Sequence, residues 1–470
     1  MHRPLLAAAL AVAAGVALPG APAPLTAGRQ AAPAGRAAVS YAEARPILET
    51  LRADLLPAEL RALPPAEREA AWPAWAAGHD AAIRARLARG DEDSVGTFLL
   101  FGVTFTRQPR YSFTVRPGST PAPSGRAEDV VPADPVVQAR LADLVRGLAA
   151  AGTNERLQFA RRVVERQGID PTTATGRVEA QAFLAGALRR MLADYDASFR
   201  DGGLGSTRFH DRGLSSDTSI YAAFAIDRTL AELQANGMLQ PGGVRRVAVV
   251  GPGLDFADKQ EGLDVYPVQT IQPFAVVDSL LRLGLSRADA IQVSTYDLSP
   301  RVNDHLAAAV QRAQAGRGYA IQLPRDAAQR WAPGLVAYWE RFGDRVGETV
   351  APVAPPPGLG QVQLRAVGLR PAVVRAVTPS DLNVVLERPA PLAEDGRVDL
   401  VIATNILIYY DVFEQSLALA NIASMLRPGG LLLTNTPLFE LPVTPMSLAG
   451  ETRVAYTETG EDWVAWYRRK

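Results

Sequence analysis

Apolar positions in the first half of the chain recur at helical spacing. Ile47, Leu51, Leu55 and Leu56 mark one such run within residues 41–90, which Pro64-Pro65 interrupts, and Trp72 and Trp75 lie on the helix that follows. Leu141, Leu144, Val145 and Leu148 mark one face of a helix beginning near Val136, and further helices are expected near 155–167 and 177–199. The apolar run 97–105 fits no single period, and residues 117–135 read as a Pro-rich loop. Residues 41–213 are therefore expected to form an all-α module, with Asp201-Gly202-Gly203-Leu204-Gly205-Ser206 breaking the pattern near its end.

At Leu214 the character changes. Ser215-Ser216-Asp217 offers N-caps to a helix running to Asn236, with Gly237 as its stop. Val247-Ala248-Val249-Val250 is a short β-rich run, and strand and helix signals alternate from there to about Asn435. That alternation predicts an α/β fold with a parallel sheet covered by helices on both faces. An insertion at 325–361 carries Trp331, Tyr338 and Trp339, and residues 452–457 and 462–467 read as an antiparallel hairpin closing the sheet.

Composition removes several chemistries. The 470 residues include 49 Lys+Arg and 49 Asp+Glu, so nothing pulls the chain toward nucleic acid, and no nucleic-acid partner is expected. Zero cysteines exclude thiolate ligands and a cysteine nucleophile. The four histidines are widely spaced, and no metal is expected. Met1-His2-Arg3 precedes an apolar run over 5–18, too short to span a bilayer, and small residues follow. Residues 1–27 read as an export signal and 28–40 as a disordered linker, which predicts a periplasmic or secreted protein, or a cytoplasmic one if the start codon is mis-called. No other segment is long and apolar enough to span.

Three elements carry chemistry. The strand at 247–250 runs into Gly251-Pro252-Gly253, a turn where a ligand approaches the backbone or where the chain merely reverses. Ala290-Ile291-Gln292-Val293-Ser294-Thr295-Tyr296-Asp297 is an apolar strand ending in an acid, which suits a ribose diol or an N-cap for the next helix. The run 399–411 is a buried strand ending in polar residues, followed by a helix, Pro428-Gly429-Gly430 and a further strand at 431–435.

Together these resemble the class I S-adenosylmethionine-dependent methyltransferases over residues 214–470. Val377-Thr378-Pro379-Ser380-Asp381-Leu382-Asn383, followed by 399–411, is most similar to the chemotaxis-receptor glutamate methyltransferases. Val249 stands where an acid is usual, Asp255 replaces the last glycine of the turn, and Thr404-Asn405 stands where receptor enzymes carry Arg-Asn. The resemblance implies a Rossmann-like seven-stranded sheet with a terminal antiparallel hairpin and S-adenosyl-L-methionine as cofactor. It places Gly251, Gly253 and Asp255 at the turn under the cofactor, and Asp297 at the ribose. Asp381, Leu382 and Asn383 fall against the adenine, Thr404 and Asn405 at the transferable methyl, and Tyr409 beside it. Asp217, Thr218 and Tyr221 fall where the family often lids the cofactor.

Methyl transfer from a sulfonium mainly needs an aligned acceptor. Where a base is required, Tyr409, Asp411 and His305 are candidates, His305 reading as a surface residue. The acceptor is not identified. Two other readings share the glycine turn: a nicotinamide-dependent oxidoreductase, against which Phe256 occupies the third glycine position, and a non-catalytic binding protein that keeps the sheet without the cofactor.

Overall fold

Strands and helices were located in a computed structural model, which describes residues 35–111, 126–200, 209–210, 212–257, 263–355, 362–389, 396–458 and 460–470. The expected export signal, residues 28–34 of the expected linker and the 201–206 glycine stretch lie outside the described residues. The rest of the linker is not irregular: Arg36–Ala38 is a strand, β1.

Helices then fill the first half: α1 (Tyr41–Thr50), α2 (Ala58–Ala62), α3 (Pro65–Phe101), α4 (Ala127–Ala133), α5 (Pro135–Ala149), α6 (Glu155–Glu165) and α7 (Ala174–Arg200). Their starts are written in the sequence. Ser40 and Glu43 form a reciprocal capping box on α1, Pro65 opens α3, Asp134 caps α5 and Asn154 caps α6. Residues 97–101 close α3, and they lacked a period because 93–100 are buried on every side. The Pro-rich loop is a correction too: α4 occupies 127–133, packed through Val131 and Pro132.

The second half contains α8 (Ile220–Ala235), β2 (Arg246–Val250), α9 (Gln272–Arg282), β3 (Gln292–Asp297) and α10 (Pro300–Gln314). It continues with β4 (Tyr319–Asp326), α11 (Pro333–Arg341), β5 (Gly347–Val350), β6 (Val362–Leu369), α12 (Pro371–Arg375), β7 (Val377–Asp381) and β8 (Glu387–Pro389). It ends with β9 (Val398–Ile402), α13 (Val412–Met425), β10 (Leu426–Thr434), β11 (Met446–Ala455) and β12 (Glu461–Arg469). Helix α8 starts at Ile220 behind Ser219, so Ser215-Ser216-Asp217 is an extended approach segment and not its cap.

The main sheet has seven strands in the order β11-β12-β10-β9-β2-β3-β7. Strands β10, β9, β2, β3 and β7 run parallel, and β12 enters antiparallel between β10 and β11. This is the Rossmann-like order with a closing hairpin that the sequence implied. The insertion is larger than 325–361: β4, β6 and β5 form their own antiparallel sheet, so it spans 319–369. Strand β1 pairs with β8, stitching the segment before α1 onto the second half.

Alternation along the central strands sorts their side chains to two cores. Val247, Val249, Leu400 and Ile402 pack with α8, α9 and α10. Ala248, Val250, Val401 and Ala403 pack with α13, α1 and α3. A third cluster joins the end of α3 and helices α4–α7 to Phe256 and Ala257 from the loop after the glycine turn. Among the described residues, no helix is long and apolar enough to cross a membrane.

Candidate functional site

Chain order reverses between β2 and β9, one running on to β3 and the other to β10. A crevice opens beyond the carboxyl ends of strands at such a switch point. Gly251 and Gly253 turn out of β2 with φ of 66° and 63°, a region that a side chain resists. The Gly251 amide donates to the Tyr296 carbonyl at 2.7 Å, which lays the turn across the end of β3. Asp297 closes that end. Its carboxylate accepts from the main-chain amides of Ser299, at 2.8 Å, and Gly253. Burial pushes its pKa up to about 6, although both amides and the Arg301 guanidinium favour the anion.

The end of β9 supplies the facing wall. Thr404 accepts from Gln272 Nε2 at 2.8 Å, at the first residue of α9. Asn405 holds φ at 59°, the only described non-glycine residue with positive φ. Asn435 keeps it there: the Asn405 amide donates to Asn435 Oδ1 at 2.7 Å, and Asn435 Nδ2 donates back to Asn405 Oδ1 at 2.5 Å. Strain of this kind is enriched at functional sites. Arg86 of α3 donates to the Tyr409 carbonyl at 2.8 Å, and burial raises the Tyr409 phenol above its ordinary pKa.

Gly251, Gly253, Asp297, Leu382, Thr404, Asn405 and Tyr409 line one cavity, so seven of the ten expected site residues meet. The other three do not face it. Asp255 is buried in the loop after the turn, its carboxylate accepting from Tyr266 Oη at 3.0 Å and Gln269 Nε2 at 2.9 Å. Asp381 turns outward to Arg84 at 2.9 Å and Arg36 at 3.3 Å. Asn383 is buried, donating to Asp80 Oδ1 at 2.8 Å and accepting from the Val385 amide. His305 is half-buried, not on the surface; it bonds Tyr319 Oη at 2.9 Å outside the cavity, and burial lowers its pKa to about 4. Asp411 caps α13 and stands off the cavity too.

Of the three residues expected to lid the cavity, Asp217 and Thr218 line it and Tyr221 does not; the rest of its roof was not legible in the sequence. Leu87 of α3 and residues 214–218 close over it. Arg301 holds Ser216 Oγ at 2.6 Å, Ser94 donates to Asp217 Oδ1 at 3.1 Å, and Leu254 accepts from the Thr218 amide and donates to the Ser216 carbonyl. Ile406 stands against the Gly251 Cα, so that a Cβ there would lie 2.0 Å from its Cδ1. The space left is about 80 Å³.

Beyond Gly253 the chain departs from a nicotinamide-binding turn. That fingerprint runs from its glycines straight into a helix, whereas α9 begins only at Gln272. Phe256 instead packs against Phe159 and Phe98 of the helical half, at ring separations of 4.9 and 6.0 Å. Buried Arg156 of α6 pins the loop, donating to the carbonyls of Phe256, Tyr266 (2.5 Å) and Asp255 (3.4 Å).

No protein-family model and no curated protein matches the chain. Among solved structures it is similar to magnesium protoporphyrin IX methyltransferase from Synechocystis PCC 6803 with bound SAM, at 15% identity and a TM-score of 0.25, over 53% of this chain and 81% of that one. It is also similar to a TehB-like SAM-dependent methyltransferase from Corynebacterium glutamicum, at 12% identity and a TM-score of 0.24, over 54% and 90% of the two chains. The rRNA methyltransferase of Streptomyces viridochromogenes gives 11% identity and a TM-score of 0.25, over 54% and 85%. Likenesses at this level carry nothing about ligand or acceptor; the fold rests on the strand order of the chain itself.

Proposed function

We propose that the chain is an S-adenosylmethionine-dependent methyltransferase whose cofactor lies across the carboxyl ends of β2, β3 and β9. One observation carries this reading: the Gly251–Gly253 turn, Asp297 and Thr404-Asn405 line a single cavity at the switch point of a sheet with the order the resemblance implies.

The donor set suits that group. Asp297 accepts two main-chain amides and keeps acceptor capacity for a ribose diol. The positive-φ glycines keep side chains off the turn, and Leu298 and Leu382 offer apolar surface to a base. Room is the unmet requirement. Small-molecule sites measure roughly 300–1,000 Å³, against about 80 Å³ here, so Leu87 and residues 214–218 must shift for the cofactor to enter.

The bound cofactor would supply a methyl group already activated on a sulfonium. The chain's own residues hold the acceptor in line. Gln272 and Asn435 fix Thr404 and Asn405, so both present their polar atoms without reorganising. Tyr409 keeps its proton at neutral pH because burial opposes the phenolate, which makes it a hydrogen-bond donor to the acceptor and not a base. An acceptor that is nucleophilic as it stands fits such a site. A protein carboxylate, the acceptor of the receptor enzymes, is the finer reading; it rests on 399–411 and lacks the arginine that Thr404 replaces.

A second reading is favoured by the small cavity and by Ile406 against Gly251: a binding protein that keeps the sheet and has no cofactor. Calorimetry with S-adenosylhomocysteine separates the two. Saturable binding to the wild type that is lost in Asp297→Asn supports the methyltransferase. A folded wild-type protein that takes up no S-adenosylhomocysteine at millimolar concentration supports the second reading and ends the first.

A further inference from the structure

Two of the four histidines, far apart in sequence, meet two carboxylates on the outer side of the cavity wall. His79 belongs to α3, His210 to the short described stretch 209–210, and Asp411 and Glu414 to the first turn of α13. His79 Nε2 stands 2.9 Å from Glu414 Oε1, and His210 Nε2 stands 3.5 Å from Glu414 Oε2 and 4.0 Å from Asp411 Oδ2. One donor atom each from His210, Asp411 and Glu414 lies within 4.8 Å of the others.

We propose that His210, Asp411 and Glu414 bind one divalent transition-metal ion, with His79 held beside them on Glu414 Oε1. The spacing carries the argument first. Metal–donor bonds of about 2.0–2.2 Å put the corners of a tetrahedron roughly 3.3–3.6 Å apart, and the His210 Nε2 distances to Glu414 Oε2 (3.5 Å) and Asp411 Oδ2 (4.0 Å) lie close to that spacing. Donor orientation agrees. The capping box leads Asp411 Oδ1 to the Glu414 amide and Glu414 Oε2 to the Asp411 amide. Asp411 Oδ2 and Glu414 Oε2 face His210, and Glu414 Oε1 faces His79.

Charge agrees as well. The Glu414 side chain is 1% exposed, and two carboxylates this close, with one out of water, require compensating positive charge. A single dication supplies it. An imidazole nitrogen with two carboxylate oxygens suits zinc, manganese, iron or cobalt better than magnesium or calcium, which take oxygen ligands throughout.

The ion would tie residues 209–210 to α13, where Glu414 already pairs with His79 of α3, fastening the helical half to the sheet. Asp411 follows Tyr410, a lining residue of the cavity, so the fastening point lies one residue from the cavity wall. The proposal does not depend on which cofactor, if any, the cavity takes.

The test uses the full chain after chelator treatment and dialysis, titrated with Zn²⁺ and Co²⁺ and, in parallel, with Mg²⁺ and Ca²⁺. The indole of Trp75 stacks on the His79 ring at 4.7 Å, so a paramagnetic ion held there quenches tryptophan emission. Expected are one Zn²⁺ or Co²⁺ per chain by elemental analysis, Co²⁺ quenching, and no saturable response to Mg²⁺ or Ca²⁺. His79→Gln and His210→Gln should each weaken binding roughly tenfold or more, by analogy with the cost of disturbing metal-ligand shells. His210 lies outside the helices, so its variant reports on binding even where His79→Gln disturbs α3. Sub-stoichiometric metal, equal uptake of Mg²⁺, or unchanged Zn²⁺ affinity in His210→Gln would each overturn the proposal and leave a cluster of ordinary histidine–carboxylate pairs.

Discussion

Burial at Asp297 sets up a conflict between folding and binding. The carboxyl has a folded pKa of about 6 against 3.8 for the free group. The folded state therefore binds the extra proton, and this group's contribution to stability, present below pH 3.8, is lost as pH rises from 3.8 to 6. Asp278, also pushed up to about 6 by burial, acts in the same direction and over the same window. Asp297→Asn removes the buried anion. At pH 7 it should gain roughly 1–3 kcal/mol in urea denaturation while losing S-adenosylhomocysteine binding, and the gain should shrink toward zero by pH 4. A variant less stable than wild type at pH 7 would mean that the carboxylate is a net structural asset. Asn405 supplies a second residue-level test. Its φ of 59° favours glycine over alanine, so Asn405→Ala should cost about 1–2 kcal/mol more than Asn405→Gly. That ordering is the reverse of the usual one. Gly251, Gly253 and Asp297 were legible in the sequence because a strand end, a glycine pair and an acid are local signals. Asp381 and Asn383 were misread because the partners that claim them, Arg84 and Asp80, stand about three hundred residues earlier on α3.

Elements that bury both faces were the easiest to read. Strands β2 and β9 appear as unbroken apolar runs because nearly every side chain has a core to enter, whereas β11 shows as a hairpin strand through its alternation of buried and exposed positions. Strand β4 was hidden for the same reason: Tyr319-Ala320-Ile321-Gln322-Leu323 looks like another parallel strand, yet it pairs antiparallel with β6. The loop between Gly253 and α9 was harder still, since its conformation is set from outside. Arg156, almost fully buried on α6, donates to three carbonyls of that loop. Without the guanidinium, those carbonyls lose partners that water cannot easily replace. Arg156→Met should therefore cost about 3 kcal/mol. Amide exchange should rise first at 254–257 and 263–269, ahead of the main sheet. Uniform acceleration over the whole chain would instead make Arg156 a global core residue. Because the glycine turn and this loop are continuous, the same variant should weaken S-adenosylhomocysteine binding.

At the scale of the whole molecule, the helical half and the sheet share one core, and the same packing that fastens them closes the cavity. Residues from α1, α3, α13 and the central strands form one apolar cluster that includes Leu214 of the roof segment. A cavity of about 80 Å³ under that roof means that a cofactor binds only to the fraction of molecules in which Leu87 and residues 214–218 have moved. Apparent affinity is then the intrinsic affinity reduced by that fraction, so a closed form favoured by about 1.4 kcal/mol weakens binding tenfold. Leu87→Ala truncates a roof side chain without touching the donors. It should tighten S-adenosylhomocysteine binding severalfold while costing some stability. The hydrogen bonds Leu214 N–H to Arg86 O (3.1 Å) and Thr218 N–H to Leu254 O (2.9 Å) give the matching exchange readout. Ligand should speed exchange at Leu214 and Thr218 in the wild type, and less so in Leu87→Ala, where room already exists. Weaker binding in Leu87→Ala, with slower exchange at both amides on ligand addition, would show that the roof is a wall of the binding site and not a barrier to it. The helical half would then be the part of the molecule that completes the pocket.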